Sequence, residues 1–178
     1  MGIGDEVFNR VKLRRLMLIV PKKHYFNWSF YTSALISIIY YVYSYKNIIV
    51  QRRFISFMNK NSMQFFSVGI SAISMILAAF AITVVVYSKK DLHLIAMHDK
   101  KTFEGFIFPY IWGASVWAVL VVVSIMSNIV SIDMNMEILY IVYTIWLFLV
   151  LYASTFTVYI IQELLQHVLL SATIEDGK

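Results

Sequence analysis

The sequence predicts an all-α membrane protein with four transmembrane helices, and three observations predict this fold. First, 60% of the 178 residues are hydrophobic and only 14% are charged, whereas a soluble domain carries about 25% charged residues. Second, several uncharged stretches reach the roughly 20 residues that cross a hydrocarbon core. Third, basic residues gather between these stretches, where they would flank membrane spans.

The first element, residues 1–25, is predicted to be a cytosolic basic amphipathic segment. Apolar residues from Val7 to Val20 are interleaved with Arg and Lys, and Pro21 cannot continue a helix. Segments of this kind often lie on a membrane surface. The same charges leave no clean apolar core for a secretory signal.

Residues 26–178 are predicted to form a transmembrane helical domain that assembles as a homo-oligomer. Its predicted spans share the absence of charged residues and cover residues 26–45, 63–87, 106–130 and 138–161. The first run is rich in Tyr, which favours the membrane interface. A re-entrant or interfacial placement of that run is therefore the alternative.

The segment between the first two spans, residues 47–60, has the same amphipathic character as the N-terminal segment. Asn61, with Gln64 three residues later, predicts a capping box at the start of the second span. Beyond residue 161, the helix of the fourth span is expected to run on briefly past the membrane.

The distribution of Lys and Arg predicts the orientation. With four spans, 11 of the 15 basic residues fall on one side: those before residue 26, those within 88–105, and Lys178. The positive-inside rule then places both termini in the cytoplasm, at a bacterial inner membrane. If the first run does not cross, the charge balance is nearly as good, so the rule alone does not choose between the two topologies.

The 88–105 segment is predicted to continue the second span as a cytosolic helix. Its two lysine pairs are 11 residues apart, which is close to three helical turns, so they share a face. Such lysines either anchor the span by contacting lipid phosphates or form an anion-binding surface whose phosphate contacts weaken with salt. The candidate ligand-binding residues are Lys89, Lys90, His93, Lys100, Lys101, Arg14, Arg15, Lys22 and Lys23.

Two uncharged polar stripes run along the predicted spans. In each stripe, small or polar residues recur every three or four positions and therefore share one helix face. Each stripe indicates either a packing seam, where small residues let helices approach closely, or a pore wall. The first comprises Ser67, Ser71 and Ser74, continued by Ala78 and Ala81, and the second comprises Tyr152, Thr155, Tyr159, Gln162 and Gln166.

Catalytic and metal-binding motifs do not occur in the sequence. The last three apolar runs contain no Asp, Glu, Lys, Arg or His, which argues against proton-coupled transport and intramembrane hydrolysis. The sequence has no phosphate-binding loop, zinc-protease helix or nucleophile elbow. His93 and His98 are five residues apart, so they diverge on a helix. We therefore expect no enzyme activity, no cofactor and no metal.

The chain resembles small four-span membrane effectors of bacterial anti-phage defence systems, of the Hailong type. The resemblance lies in the chain length, the charge-free spans and the stretch "FAITVVVYSKKDLHLIAMHDKK", in which a span leads into a basic segment. It implies a tetrameric channel that DNA oligomers, made by a soluble nucleotidyltransferase partner, hold closed. The resemblance assigns no site residue.

These features together predict an oligomeric ion channel or membrane-permeabilising effector that acts in abortive infection. An anionic nucleotide or oligonucleotide, or a partner protein, would gate it at the basic cytosolic face. There are two alternatives. One is a non-conducting membrane anchor that recruits a soluble partner, and the other is a holin-like lysis protein that kills without any ligand.

Overall fold

A computed structural model describes residues 25–87, 100–129 and 135–175, and these residues form helices and short connections with no strand. The all-α prediction is confirmed for this part of the chain. The helices are α1 (Trp28–Ser44), α2 (Ile48–Lys60), α3 (Ser62–Val86), α4 (Lys100–Ile129) and α5 (Met136–Glu175).

Three of the helices are long and apolar enough to cross a membrane, over Ser62–Val85, Gly105–Ser127 and Met136–Gln166. They correspond to the second, third and fourth predicted spans, and they mark the chain as a membrane protein. Helix α1 lies on the first predicted span but has only 17 residues. Helix α5 continues to Glu175, so the predicted extension beyond the last span is confirmed.

Helices α3 and α4 pack antiparallel along their whole length. Near one end the ring of Tyr87 meets Phe106 edge-on, with centroids 5.5 Å apart. Further along, the hydroxyls of Thr83 and Tyr110 are 2.8 Å apart. Near the other end, Gly69 lies so close to α4 that an added Cβ would stand 2.6 Å from Val121 Cγ2. The absence of a side chain at position 69 therefore sets how closely the two helices approach.

Helix α5 is the centre of the bundle because it contacts each of the other four helices. Helix α1 runs antiparallel to it, with Ser33 opposite Thr155 and Ser44 opposite Tyr140. Helix α4 crosses it at Gly113, where an added Cβ would meet Ile160 Cδ1. The interior of the bundle is therefore built around one long helix.

Helix α2 is short and amphipathic, and it packs on the N-terminal part of α5. The Asn47 side chain accepts hydrogen bonds from two backbone N–H groups of the first turn, which is ordinary N-capping. Gln51 donates to the carbonyl oxygens of Tyr45, at 2.7 Å, and Ser44, at 3.3 Å. These two carbonyls belong to the end of α1, and that of Ser44 also accepts from the Asn47 backbone N–H, at 3.0 Å. The buried face of α2 comprises Gln51, Phe54, Ile55 and Met58.

The predicted capping box at Asn61 and Gln64 is wrong. Asn61 occupies the N-cap position of α3, but its side chain makes no capping hydrogen bond. Its amide donates instead to the carbonyl oxygen of Phe57, at 2.7 Å. Since α2 ends immediately before α3 begins, the exposed carbonyls at the end of α2 compete for this side chain.

The second span does not continue unbroken into the 88–105 segment. Helix α3 ends at Val86, and Tyr87 has an extended backbone. The ring of Tyr87 lies against that of Phe106 in α4, which runs antiparallel to α3. Residues 88–99 lie outside the described residues, and residues 100–105 belong to the first turns of α4.

We predict that Gly69→Ala destabilises the bundle. The new methyl group would overlap Val121, whose β-branched side chain is stiff, and overpacking of this kind costs about 1–3 kcal/mol. The free energy of unfolding, measured by SDS titration of the protein in mixed micelles, should fall accordingly.

The matched control for this prediction is Gly105→Ala. Gly105 also lies in a membrane helix, but nothing stands within 4 Å of an added Cβ there. This variant should be as stable as the parent or slightly more stable, because Ala favours helix. Equal stability losses in both variants would refute close α3–α4 approach at Gly69.

Candidate functional site

The predicted anion-binding residues lie largely outside the described part of the chain. Seven of the nine candidates fall within residues 1–24 and 88–99. Lys100 and Lys101 form the start of α4, and their side chains are outside the described set. The basic surface therefore stays a prediction, and the site that can be built from contacts is the set of polar faces on the membrane helices.

The α3 stripe does not pack within the chain. Ser67, Ser71 and Ser74 are all exposed, as are the two alanines that continue the stripe. Each serine hydroxyl donates to the carbonyl four residues earlier, at 3.0–3.1 Å. The hydroxyl protons are thus satisfied locally, while the oxygen lone pairs stay free to accept further contacts.

Large apolar side chains border the α3 stripe on both sides. Val68 and Met75 project on one flank, and Ile70 and Leu77 on the other, with each side chain 45–56% exposed. Helical geometry places these residues within about 60–100° of the serines. The stripe is therefore the floor of a shallow, uncovered groove along α3.

The α5 stripe divides into a buried part and an exposed part. Tyr152 is 4% exposed. It accepts a hydrogen bond from Trp112 Nε1 at 2.8 Å and donates to the carbonyl oxygen of Tyr25 at 3.2 Å. Thr155 lies 3.2 Å from the hydroxyl of Ser33. This part of the stripe is a packing seam with α1 and α4.

The remaining residues of the α5 stripe lie further towards its C-terminal end. Tyr159 is half-buried and within hydrogen-bonding range of the Glu163 carboxyl group. Gln162 and Gln166 are exposed. The pore-wall interpretation of this stripe therefore applies only to its last two residues.

Sequence reasoning missed a serine seam on α1. Ser29, Ser33, Ser37 and Ser44 are 0–5% exposed and face α5. Their spacing of four, four and seven residues is the signal that could have identified the seam, because these offsets return to the same helix face. The hydroxyls of Ser29 and Ser37 have no hydrogen-bond partner.

Paired polar side chains between helices were also not predicted. Trp117 Nε1 donates to Thr157 Oγ1 at 2.9 Å, and the Tyr143 hydroxyl donates to Asn59 Oδ1. Each pair joins two helices, and no periodicity along a single helix reveals the partner. Aromatic rings fill the space around these pairs, as where Phe148 stacks on Tyr152 with centroids 5.9 Å apart.

Metal-ligand clusters do not occur in the part of the chain that the structure describes. His93 and His98 lie outside it. Comparison with protein-family models, with curated proteins and with solved structures finds no match to this chain. The functional argument therefore rests on the residues themselves.

We predict that Tyr152→Phe destabilises the bundle by about 1 kcal/mol. The substitution removes the hydrogen bonds to Trp112 and to the Tyr25 carbonyl, and it leaves the partly buried indole N–H of Trp112 without this partner. SDS titration in mixed micelles should report the loss. Tyr31→Phe is the matched control, because Tyr31 is 62% exposed on α1 and its hydroxyl joins no other helix. A Tyr152→Phe variant as stable as the control would show that the hydrogen bonds of Tyr152 do not stabilise the packing of α5 in the bundle.

Proposed function

We propose that the protein is a four-span membrane protein that assembles around its α3 faces into an ion-conducting or membrane-permeabilising effector. Opening is controlled by an anionic nucleotide, an oligonucleotide or a partner protein that binds its basic end. One observation carries the proposal. Aromatic rings fill the interior of the single chain, while the α3 groove, which carries the serine hydroxyls, is uncovered.

The distribution of polar and apolar side chains on α1 supports its assignment as a membrane span, which makes four spans in all. Its serines point inward to α5, while Leu35, Ile38 and Val42 are 59–68% exposed. An apolar exterior over a polar interior is the arrangement that lipid selects, since lipid cannot satisfy buried polar groups. Its 17 residues extend about 25 Å, and the flanking residues can complete the roughly 30 Å hydrocarbon core.

The bundle geometry with four spans supports a cytosolic basic end. The connections α1–α2–α3 and α4–α5 then lie at one end, and Tyr25, Tyr87 and Lys100, where residues 1–24 and 88–99 join the bundle, lie at the other. Eight of the 15 Lys and Arg residues belong to these two joining segments, and Lys100, Lys101 and Lys178 bring the number for this end to 11. The positive-inside rule assigns such an end to the cytoplasm. Anionic ligands made in the cytosol would meet the basic segments there.

Conduction requires a path between subunits. Within the bundle, Phe156, Tyr140 and Leu120 are 0–2% exposed, and interhelical hydrogen bonds join the surrounding helices. Copies that meet along the α3 groove would bring Ser67, Ser71 and Ser74 together near a symmetry axis. Small residues permit such close contact, and neutral hydroxyl oxygens can replace part of an ion's hydration shell.

We predict that Ser71→Leu reduces ion flux through liposomes at least roughly tenfold, because a leucine side chain would fill the narrow path. The measurement is planar-bilayer recording or fluorescence-detected potassium flux, with and without added nucleotides. Ser154→Leu is the matched control. Ser154 is also exposed, with its hydroxyl bonded to the carbonyl four residues earlier, but it lies on α5. Absence of flux in the parent protein under all conditions would refute conduction.

The chain has no Cys, so single-cysteine variants test assembly separately from conduction. Ser71→Cys should form disulfide-linked dimers under mild oxidation in membranes, because two copies of the groove face each other. Leu35→Cys, at an exposed position on α1, should stay monomeric. Cross-linking at position 35 but not at position 71 would contradict the proposed contact.

A non-conducting anchor is the second candidate, and the closed interior of the single bundle favours it. In this case the basic end would recruit a soluble enzyme by charge. Such recruitment should depend on Lys89, Lys90, Lys100 and Lys101 in a pull-down, while flux stays absent. A holin-like protein would instead kill cells on expression alone, without ligand or partner.

A further inference from the structure

Helix α2 has a buried face and an exposed face. The buried face packs on α5 through Phe54, Ile55 and Met58. On the exposed face, cationic and polar side chains are interleaved with the large apolar side chains of Ile49 and Phe57, which are 61% and 57% exposed. A helix that exposes cations together with large apolar side chains suits a membrane interface.

The exposed face borders a groove between α2 and the start of α5. Its volume is about 600 Å³, within the range of sites that hold small molecules. Among the described residues that line it, two are cations and none is acidic. They are Arg52, Ile55, Ser56, Asn59, Lys60 and Met136.

The polar side of the groove is formed by residues that share one flank of α2. Arg52 and Ser56 are one turn apart, and Asn59 lies a further turn along. Lys60 closes the end of the helix. Arg53 points to the other flank and does not line the groove. Two of the four basic residues at this end of the bundle, Arg52 and Lys60, therefore line the groove.

The groove walls are held in place by hydrogen bonds. Asn59 Oδ1 accepts from the Tyr143 hydroxyl of α5. Gln51 ties α2 to the last carbonyls of α1. Because both ends of α2 are fastened, the open depression that Arg52 and Lys60 line is preformed, and binding needs little reorganisation.

The groove lies beside the starts of two candidate membrane spans. The α3 span begins at Ser62, two residues after Lys60, and the α5 span begins at Met136, which itself lines the groove. Arg offers a planar fork that matches phosphate oxygens, Lys adds a point charge, and Ser and Asn offer neutral donors. Ile55 and Met136 supply an apolar floor beneath them.

We infer that this groove binds the phosphate headgroup of an anionic phospholipid, with Arg52 and Lys60 as the phosphate ligands. The acyl chains of the lipid contact the apolar floor that Ile55 and Met136 supply. The inference stands apart from the proposed conduction. It also gives a role to cations that the positive-inside rule would not place at this end of the bundle.

The test is lipid binding to the purified full-length protein, counted by native mass spectrometry during titration with phosphatidylglycerol. The double variant Arg52→Gln/Lys60→Gln should bind the first lipid roughly tenfold or more weakly, because two charge-assisted contacts are lost. The double variant Arg53→Gln/Lys46→Gln removes the same charge from the same end, outside the groove, and should bind like the parent. Monodisperse elution confirms that each variant is folded.

Three outcomes would overturn the inference. Equal losses in both double variants would mean general surface charge rather than a site. Unchanged binding in the groove variant would mean that the groove holds no lipid. Displacement of the lipid by inorganic phosphate at comparable concentration would assign the groove to a soluble phosphate compound, because a lipid held also by its acyl chains resists such competition.

Discussion

The structure depends on one constraint: polar groups inside a membrane bundle must find partners within the protein. Helix α5 supplies most of those partners. Its tyrosines and threonines reach Ser44 of α1, Asn59 of α2, and Trp112 and Trp117 of α4. Apolar packing alone would not hold these helices together in lipid, since acyl chains are as apolar as the side chains. The hydrogen bonds therefore fix which helices are neighbours.

The same constraint explains why the polar side chains of α1 face the other helices while its apolar side chains are exposed. The serines of α1 are buried while its leucine and isoleucines are exposed, the reverse of a soluble helix. Glycines complete the arrangement where backbones meet most closely, at Gly69 and Gly113. The α3 groove departs from this pattern, since it exposes hydroxyls and alanines to the outside. In the proposed assembly, a second copy of the chain covers this face.

The sequence predicted the helices well because length and charge decide them. The runs at 63–87, 106–130 and 138–161 contain no ionised group, and each became a long helix. The first run was ambiguous for a physical reason, because its serines lower its apolar character although they face α5. Periodicity showed that Ser67, Ser71 and Ser74 share a face, but it could not show whether another helix covers that face. Partners such as Trp117 and Thr157 depend on how the helices cross, which no single-helix pattern contains.

The two ends of the bundle differ in a way that bears on control. At the α2 end, short connections and side-chain hydrogen bonds fasten α1, α2 and α5 to one another. At the opposite end, long basic segments connect to the bundle at Tyr25, Tyr87 and Lys100. Tyr25 packs edge-on to Phe108 and Trp112, with centroids 4.6 and 5.2 Å apart, and its carbonyl accepts from Tyr152. A ligand that moved the N-terminal segment would therefore act directly on α4 and α5, where the helices cross. Because the α2 end is fastened, such a displacement would tilt helices about that end instead of shifting the bundle as a whole.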